Sequence, residues 1–473
     1  MPDLRVRTLS GETITLQEKA IETFQRKLRG ELITPDNERY DEVRTIWNAM
    51  IDKQPGLIAL CLGVADVIEA VNFAHEHEQL LAVRGGGHNV AGHAVCEGGL
   101  MVDLSLMNAV QVDPETQTAV VQGGATFADV DHETQAFGLA VPNGVVSTTG
   151  VGGLTLGGGF GRLSRKCGLT ADNLRSANVI TADGNLITTS AEKNPDLFWG
   201  IRGGGGNFGI VTAFEFDLHK VGPDVLFGPI VYRLEDAPEV LRNYRDFAIN
   251  APYACSVWAD FLMAPPLPFL PEAVHGTKVL FIAPFYAGDL QEGESLLKPL
   301  REFGDPIGDG VARIPYLAAQ RALDGLYAKG FRNYWKSHNF VDLSDAALDT
   351  IVERAGSLPT PQSDILISHL GGVINEIPPD GTAYPHRDIE FVVTPGGRWK
   401  DPTQDAETIA WVRESHDALT AYATGRTYIN FIAEESGREQ EAFGPNYDRL
   451  VRLKNKYDPK NLFRLNQNIT PRK

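Results

Sequence analysis

Cysteine is scarce, with four residues at positions 61, 96, 167 and 255 in a chain of 473. That is too few, in too long a chain, for a disulfide framework. No stretch offers 18 uninterrupted apolar residues, so no membrane-spanning helix is expected. The leading residues MPDLRVRTLSGETITLQEKA lack the basic region and apolar run of an export signal, and the cytoplasm is the expected compartment. Basic residues are outnumbered, 43 Lys and Arg against 61 Asp and Glu, for a net charge of −18. This balance opposes nonspecific binding to nucleic acids or acidic membranes, so neither is expected as a partner. Two nucleotide-binding signatures are missing as well. No Gly-x-Gly-x-x-Gly stands between a strand and a long helix with an acidic residue about 20 positions on, and no Gly-x-x-x-x-Gly-Lys-Ser/Thr occurs. His88, His93 and Cys96 supply three metal-ligating side chains but no obvious fourth, so no metal is expected.

What the chain has is glycine, unevenly spread. Of 48 glycines, 25 lie between residues 85 and 209, about three times the density of the remainder. They form three runs: Gly85–Gly87 directly before His88, GVGGLTLGGGFG at 150–161, and RGGGGNFG at 202–209. Removing side chains lets backbone amides approach a ligand's oxygens closely. A single run has a purely steric explanation; three in one region suit a cradle for a large, anionic, partly planar cofactor.

Periodicity divides the chain. Leu16–Leu28 reads as a short helix, Leu57–Leu62 and Leu81–Val83 as strands, and Val67, Ile68, Val71 and Ala74 as one face of a helix. Leu100–Leu104, Ala119–Gln122, Val179–Thr181 and Ile210–Phe216 read as further strands, with a helix opened by a Thr126/Asp129 capping pair. The composition shifts near Gly222-Pro223. Beyond it come strand candidates at 332–338, 365–369 and 389–393 and a helix at 405–422. A tail helix starts at Pro445 and stops at Asp458-Pro459.

Longer stretches carry a resemblance. RGGGHNVAGHAVCEGGLMVDLSLMNAVQVD, then GVGGLTLGGGFGRLSRKCGLTADNLRSANVITADG and NPDLFWGIRGGGGNFGIVTAFEF, are similar to the flavin-binding region of the oxygen-dependent FAD-linked oxidoreductases. The likeness resumes in GRTYINF and YDPKNLFRLNQNI. It implies an α+β, two-lobed flavoprotein of the PCMH or vanillyl-alcohol-oxidase type, ending in a berberine-bridge-like segment. The cofactor lobe is expected at 1–223 (core about 52–222), an inserted substrate lobe with an antiparallel sheet and helices at 224–424, and a completing tail at 425–473.

The resemblance also implies site residues. His88 would carry FAD through a covalent bond to the 8α methyl carbon. Arg84, Gly85, Gly86, Gly87, Asn89, Ala91 and Gly92 would complete the first loop's contacts. Thr148, Thr149, Gly150, Gly153 and Gly157 would supply the second. Asp172 and Asn173 resemble a turn near the cofactor; Gly206, Asn207, Gly209 and Val211 resemble a segment that holds it through the backbone. Tyr428, Asn430, Asn466 and Asn468 would reach it from the tail. Some relatives add a second link through cysteine, but Val146 holds that position, so a single histidyl link is expected. Thr149 falls where these relatives control oxygen access. It has valine's shape with an added hydroxyl.

The reacting side is less legible. An alcohol oxidation generally needs a base, whereas an amine loses its proton more easily. The tyrosine that often follows the Tyr-x-Asn pair is replaced by Phe431. Tyr384 is the first candidate to accept the proton, Glu376 could bind an amine or act as a base, and Lys336 could lower a phenol's pKa or orient a carboxylate. Their alternative roles are packing, a loop carboxylate and a strand-edge charge. The expected activity is oxidation of a small alcohol, amine or secondary metabolite by a monomer or homodimer, with oxygen as acceptor. A dehydrogenase with another acceptor and a flavin-binding protein without turnover are the alternatives.

Overall fold

The computed structural model describes residues 3–433 and 437–472. Strands β1 (Glu31–Ile33), β2 (Leu57–Leu60), β3 (Leu81–Arg84) and β4 (Leu100–Asp103) form a small sheet in the order β1-β2-β4-β3. Its β2, β4 and β3 are parallel, while β1 runs antiparallel to β2. Helix α1 (Val64–Glu76) is the crossover between β2 and β3 and buries Val67, Ala70, Val71 and Ala74. Four buried residues in succession along β2 fit a strand covered on both faces.

A second sheet is antiparallel. It joins β5 (Val110–Asp113), β6 (Thr118–Gln122), β7 (Leu174–Ile180), β8 (Leu186–Ser190) and β9 (Ile210–Asp217) in the order β8-β7-β9-β6-β5. Helix α2 (Phe127–Gln135) follows β6 and starts as its sequence indicates. Thr126 accepts from the Asp129 amide while Asp129 Oδ2 accepts from the Thr126 amide at 2.8 Å. The second glycine run forms the short helix α3 (Val151–Leu156), and Pro195 opens α4 (Pro195–Ile201).

The chain from 224 to 424 builds a large antiparallel sheet. Its central strands are β10 (Ile230–Arg233), β11 (Cys255–Met263), β12 (Lys278–Tyr286), β13 (Arg332–Trp335), β14 (Asp364–His369) and β15 (Phe391–Trp399). They run β10-β12-β11-β14-β15-β13. Two expected elements differ in extent. The strand expected to end at Val393 continues through Gly396 and Gly397 to Trp399, because both glycines pair with β13. The strand expected at 332–338 breaks after Trp335 and resumes as a separate strand, His338–Phe340. Helix α5 (Asp405–Leu419) backs the sheet, burying Trp411, Val412 and Leu419, and Thr420–Tyr422 tightens to a 3-10 turn.

In the tail, Gly444–Asn446 forms a 3-10 turn leading into α6 (Tyr447–Tyr457). Lys454 on α6 is fully buried. Its ammonium donates to the Asn207 carbonyl (2.9 Å), the Phe463 carbonyl (2.8 Å) and Asp458 (2.7 Å). These bonds satisfy a charge that burial would otherwise penalise, and they fix the tail against the third glycine run. Among the described residues no helix is long and apolar enough to cross a membrane.

Candidate functional site

A cavity of about 320 Å³ lies between the glycine runs, the tail and one face of the large sheet. The first two runs meet there backbone to backbone. A Cβ on Gly86 would stand 2.4 Å from the Gly150 nitrogen, and one on Gly150 would stand 2.3 Å from the Gly86 nitrogen. No other residue type permits that crossing. Gly153 and Gly206 also line the cavity, but a Cβ on either would meet no atom within 4 Å. Their side-chain positions are open room, as a cradle for a bulky ligand requires.

His88 sits on the wall. Its Nε2 lies 2.9 Å from Thr148 Oγ1, which leaves Nδ1 as the nitrogen for any further bond. Trp47 stacks on the ring, with centroids 4.5 Å apart and planes 20° from parallel. Burial lowers the imidazole pKa to about 4, so the ring is neutral and nucleophilic near pH 7. The Trp47 indole donates to the Tyr327 carbonyl at 2.7 Å, and Asn48 bonds the Val90 and Asn333 carbonyls at 2.8 and 3.0 Å. Nothing in the spacing shows that Trp47 returns to the histidine; only the fold does.

Of the other expected cofactor residues, Gly85, Gly87, Asn89, Thr149, Gly209 and Val211 lie on the cavity wall. Tyr428, Asn430 and Asn466 join them from the tail. Asn430 Nδ2 donates to the Leu154 carbonyl (3.1 Å) and to the Tyr428 hydroxyl (2.8 Å), and the Gly159 amide donates to that same hydroxyl at 3.0 Å. Gly157 is where Asn430 packs: a Cβ there would lie 2.2 Å from its Oδ1. The side-chain oxygens of Asn466 and Asn468 are buried without a hydrogen-bond partner.

The remaining expected residues stand off the wall and support it. Arg84 bonds Asp103 and the Val43 carbonyl. Asp172 forms a buried two-pronged ion pair with Arg387, both contacts at 2.8 Å. Asn173 donates to the carbonyls of Cys167 and Leu169. Asn207 clamps the third run to the tail, donating to the Gly204 and Gln467 carbonyls and accepting from the Ile469 amide at 2.9 Å. Ala91 and Gly92 lie just beyond the lining, and a Cβ on Gly92 would strike Ile51.

Tyr384, Glu376 and Lys336 are not among the residues that line the cavity. Tyr384 packs behind the cradle, where its amide donates to the Arg202 carbonyl at 3.2 Å, its ring touches the Gly158 position, and its backbone and Cβ touch the Gly203 position. Burial pushes its phenol pKa up, with Arg387 opposing, which disfavours the phenolate a base would need. Glu376 ends a short helical turn at a separate depression shared with Arg387 and Arg426. Lys336 lies just past the end of the Arg332–Trp335 strand and is not among the residues that line the cavity.

The sheet wall instead presents Trp258, Trp335, Asp364, Ser368, Thr394 and Arg398, with Tyr327 beside them. Phe431 completes an aromatic enclosure, its ring 6.0 Å from Trp335 and 5.5 Å from Phe160, which in turn lies 6.3 Å from Trp258. None of these sheet residues is among the site residues expected from the sequence. Their signal was there: charged residues set singly in otherwise apolar strands, as in CSVWADFLM and DILISH.

A glycine cradle, a shielded histidine and an aromatic pocket opening from the same cavity define a cofactor-dependent enzyme site, and comparison with known proteins agrees. Residues 55–190 match the FAD binding domain family and residues 427–470 the berberine and berberine-like family. An FAD-linked oxidoreductase of Dictyostelium discoideum is 31% identical over 95% of this chain and 97% of its own. The (R)-6-hydroxynicotine oxidase of Paenarthrobacter nicotinovorans is 30% identical over 94% of this chain and 97% of its own. Among solved structures, 6-hydroxy-D-nicotine oxidase from Arthrobacter nicotinovorans superposes with a TM-score of 0.85 at 28% identity, covering 94% of this chain and 98% of that one. The chain belongs to the FAD-linked oxidoreductases, and it is an enzyme that uses FAD.

Proposed function

We propose that this enzyme is an oxidase of a small organic substrate, with FAD held through a single covalent bond to His88. The reading rests on one observation: the cavity runs unbroken from the glycine cradle and His88 to the aromatic enclosure. FAD, when bound, supplies a two-electron acceptor that passes electrons to oxygen and yields hydrogen peroxide. The protein's part is to position and to exclude water. Thr148 and Trp47 hold the His88 ring. The crossed loops at Gly86 and Gly150 bring backbone amides to the wall. Phe160, Trp258, Trp335 and Phe431 keep the substrate's body dry.

Val146 lines the cavity, whereas none of the four buried cysteines does, which supports a single link. Similarity to (R)-6-hydroxynicotine oxidase supports an oxidase acting on a small molecule. The second reading, a dehydrogenase using another electron carrier, draws on Thr149, whose hydroxyl adds a polar group on the cavity wall. Steady-state turnover in air, set against turnover with an artificial acceptor under anaerobic conditions, separates the two. Peroxide formation matching substrate consumption is expected; negligible consumption of oxygen would leave the dehydrogenase.

A further inference from the structure

The sheet wall carries more charge than its own partners balance. Register sets Asp260, Leu366 and Thr394 side by side across β11, β14 and β15. Leu366 and Thr394 line the cavity, so Asp260 belongs to the same face. Asp364 and Arg398 share that face and are ion-paired. The Tyr327 hydroxyl donates to Asp364 Oδ2 at 3.2 Å, and the guanidinium lies 4.1 Å from the Tyr327 ring centre. Arg398 is thereby committed to Asp364. The second carboxyl, Asp260, is 8% exposed and its Oδ1 has no hydrogen-bond partner. Burial, then the nearby Asp364, hold its carboxyl well above the usual range, with Arg398 opposing.

Three further polar atoms at this wall are buried without partners: Ser368 Oγ, Thr394 Oγ1 and Trp335 Nε1. Their residues are 0%, 7% and 9% exposed. Such groups are usually satisfied, and here their residues line the cavity.

We propose that this end of the cavity takes the ammonium group of a flat or aromatic amine, with Asp364 as its direct carboxylate partner and Asp260 supplying the balancing charge. The inference deepens the oxidoreductase reading and rests on it. Two carboxylates, one guanidinium and one ammonium sum to zero. An alcohol or sugar brings no such charge and leaves Asp260 holding its proton, while an anionic substrate adds repulsion. Ser368 and Thr394 offer hydroxyl oxygens to the remaining ammonium N–H groups, and Trp258 and Trp335 offer ring faces to the cation and to the body it is attached to. Binding would break the Asp260 O–H bond and release that proton to solvent.

The test uses the flavin-loaded protein under anaerobic conditions, titrated calorimetrically with benzylammonium and with ethylbenzene, its neutral isostere. Repeating the titration in buffers of different ionisation enthalpy counts protons. The cation should bind at least about tenfold more tightly than the isostere, and its binding should release protons over the pH range in which Asp260 is protonated. Asp260→Asn should abolish the proton release and weaken the cation about tenfold without affecting the isostere. Because Asp260 is not the residue paired with Arg398, this variant tests the idea even where Asp364→Asn fails to fold. Equal binding of both ligands, no binding of the cation up to about 10 mM, or cation binding indifferent to Asp260→Asn would overturn the proposal. Flavin bleaching by alcohols in that same preparation would leave the oxidoreductase reading intact. Absence of any flavin redox response would defeat the reading itself.

Discussion

The Thr148 hydroxyl and the His88 ring meet at 2.9 Å through Nε2, so the ring's orientation is fixed by a residue of the next loop, 60 positions along the chain. That contact leaves Nδ1 as the ring nitrogen for the proposed histidyl link. Acid-denatured protein should keep one flavin, and peptide mass analysis should place it on His88. His88→Ala should release all of the flavin on denaturation. Thr148→Val should lower the covalently attached fraction while leaving total flavin near normal. Flavin recovered on a cysteine peptide would refute the single histidyl link.

Tyr384→Phe should change the rate of flavin reduction by less than about twofold, since general-base effects of roughly 10²–10⁴ require contact with substrate. Rapid mixing of substrate with the oxidised enzyme reads this step directly. A loss of a hundredfold or more would return Tyr384 to the reacting side.

Asp172→Ala should lower stability by about 3–5 kcal/mol, because Arg387, 3% exposed, would be left as an uncompensated buried charge. Denaturant unfolding monitored by tryptophan fluorescence measures it. An unchanged midpoint would mean that water reaches Arg387.

Thr149 lines the cavity. If it controls oxygen, Thr149→Leu should slow reoxidation of the reduced enzyme by about tenfold or more, a barrier of roughly 1.4 kcal/mol, while Thr149→Val should not. Stopped-flow mixing of the reduced enzyme with aerated buffer distinguishes them. Equal rates in all three forms would remove the gating role.

Acid should destabilise the fold through His338. Its ring stacks on His416 with centroids 3.8 Å apart, and burial, then the neighbouring His416, lower its pKa from 6.5 to about 3. Between those values the unfolded chain binds a proton that the folded chain refuses. Stability is therefore complete above about pH 6.5 and falls as pH drops, at up to about 1.4 kcal/mol per unit for this group. His338→Phe should flatten that limb of the curve. Identical acid limbs in the two proteins would show that other groups set it.

The sequence by itself determined the cofactor side. Glycine runs are legible because each serves a local need for missing side chains, and the Gly86–Gly150 crossing and the open positions at Gly153 and Gly206 bear directly on why those residues are glycine. The capping pair at Thr126 and Asp129 was legible for the same reason, since both partners lie within one turn. Tertiary structure decided the reacting side. Asp260, Asp364 and Arg398 come from three strands and become neighbours only through the sheet register, while Trp47 reaches His88 from the leading segment. Tyr384 carried a suggestive pattern, but the fold buries it behind the third glycine run. Local backbone demands are written in consecutive residues; a pocket assembled across strands depends on pairing between distant segments, and no short stretch of sequence encodes it.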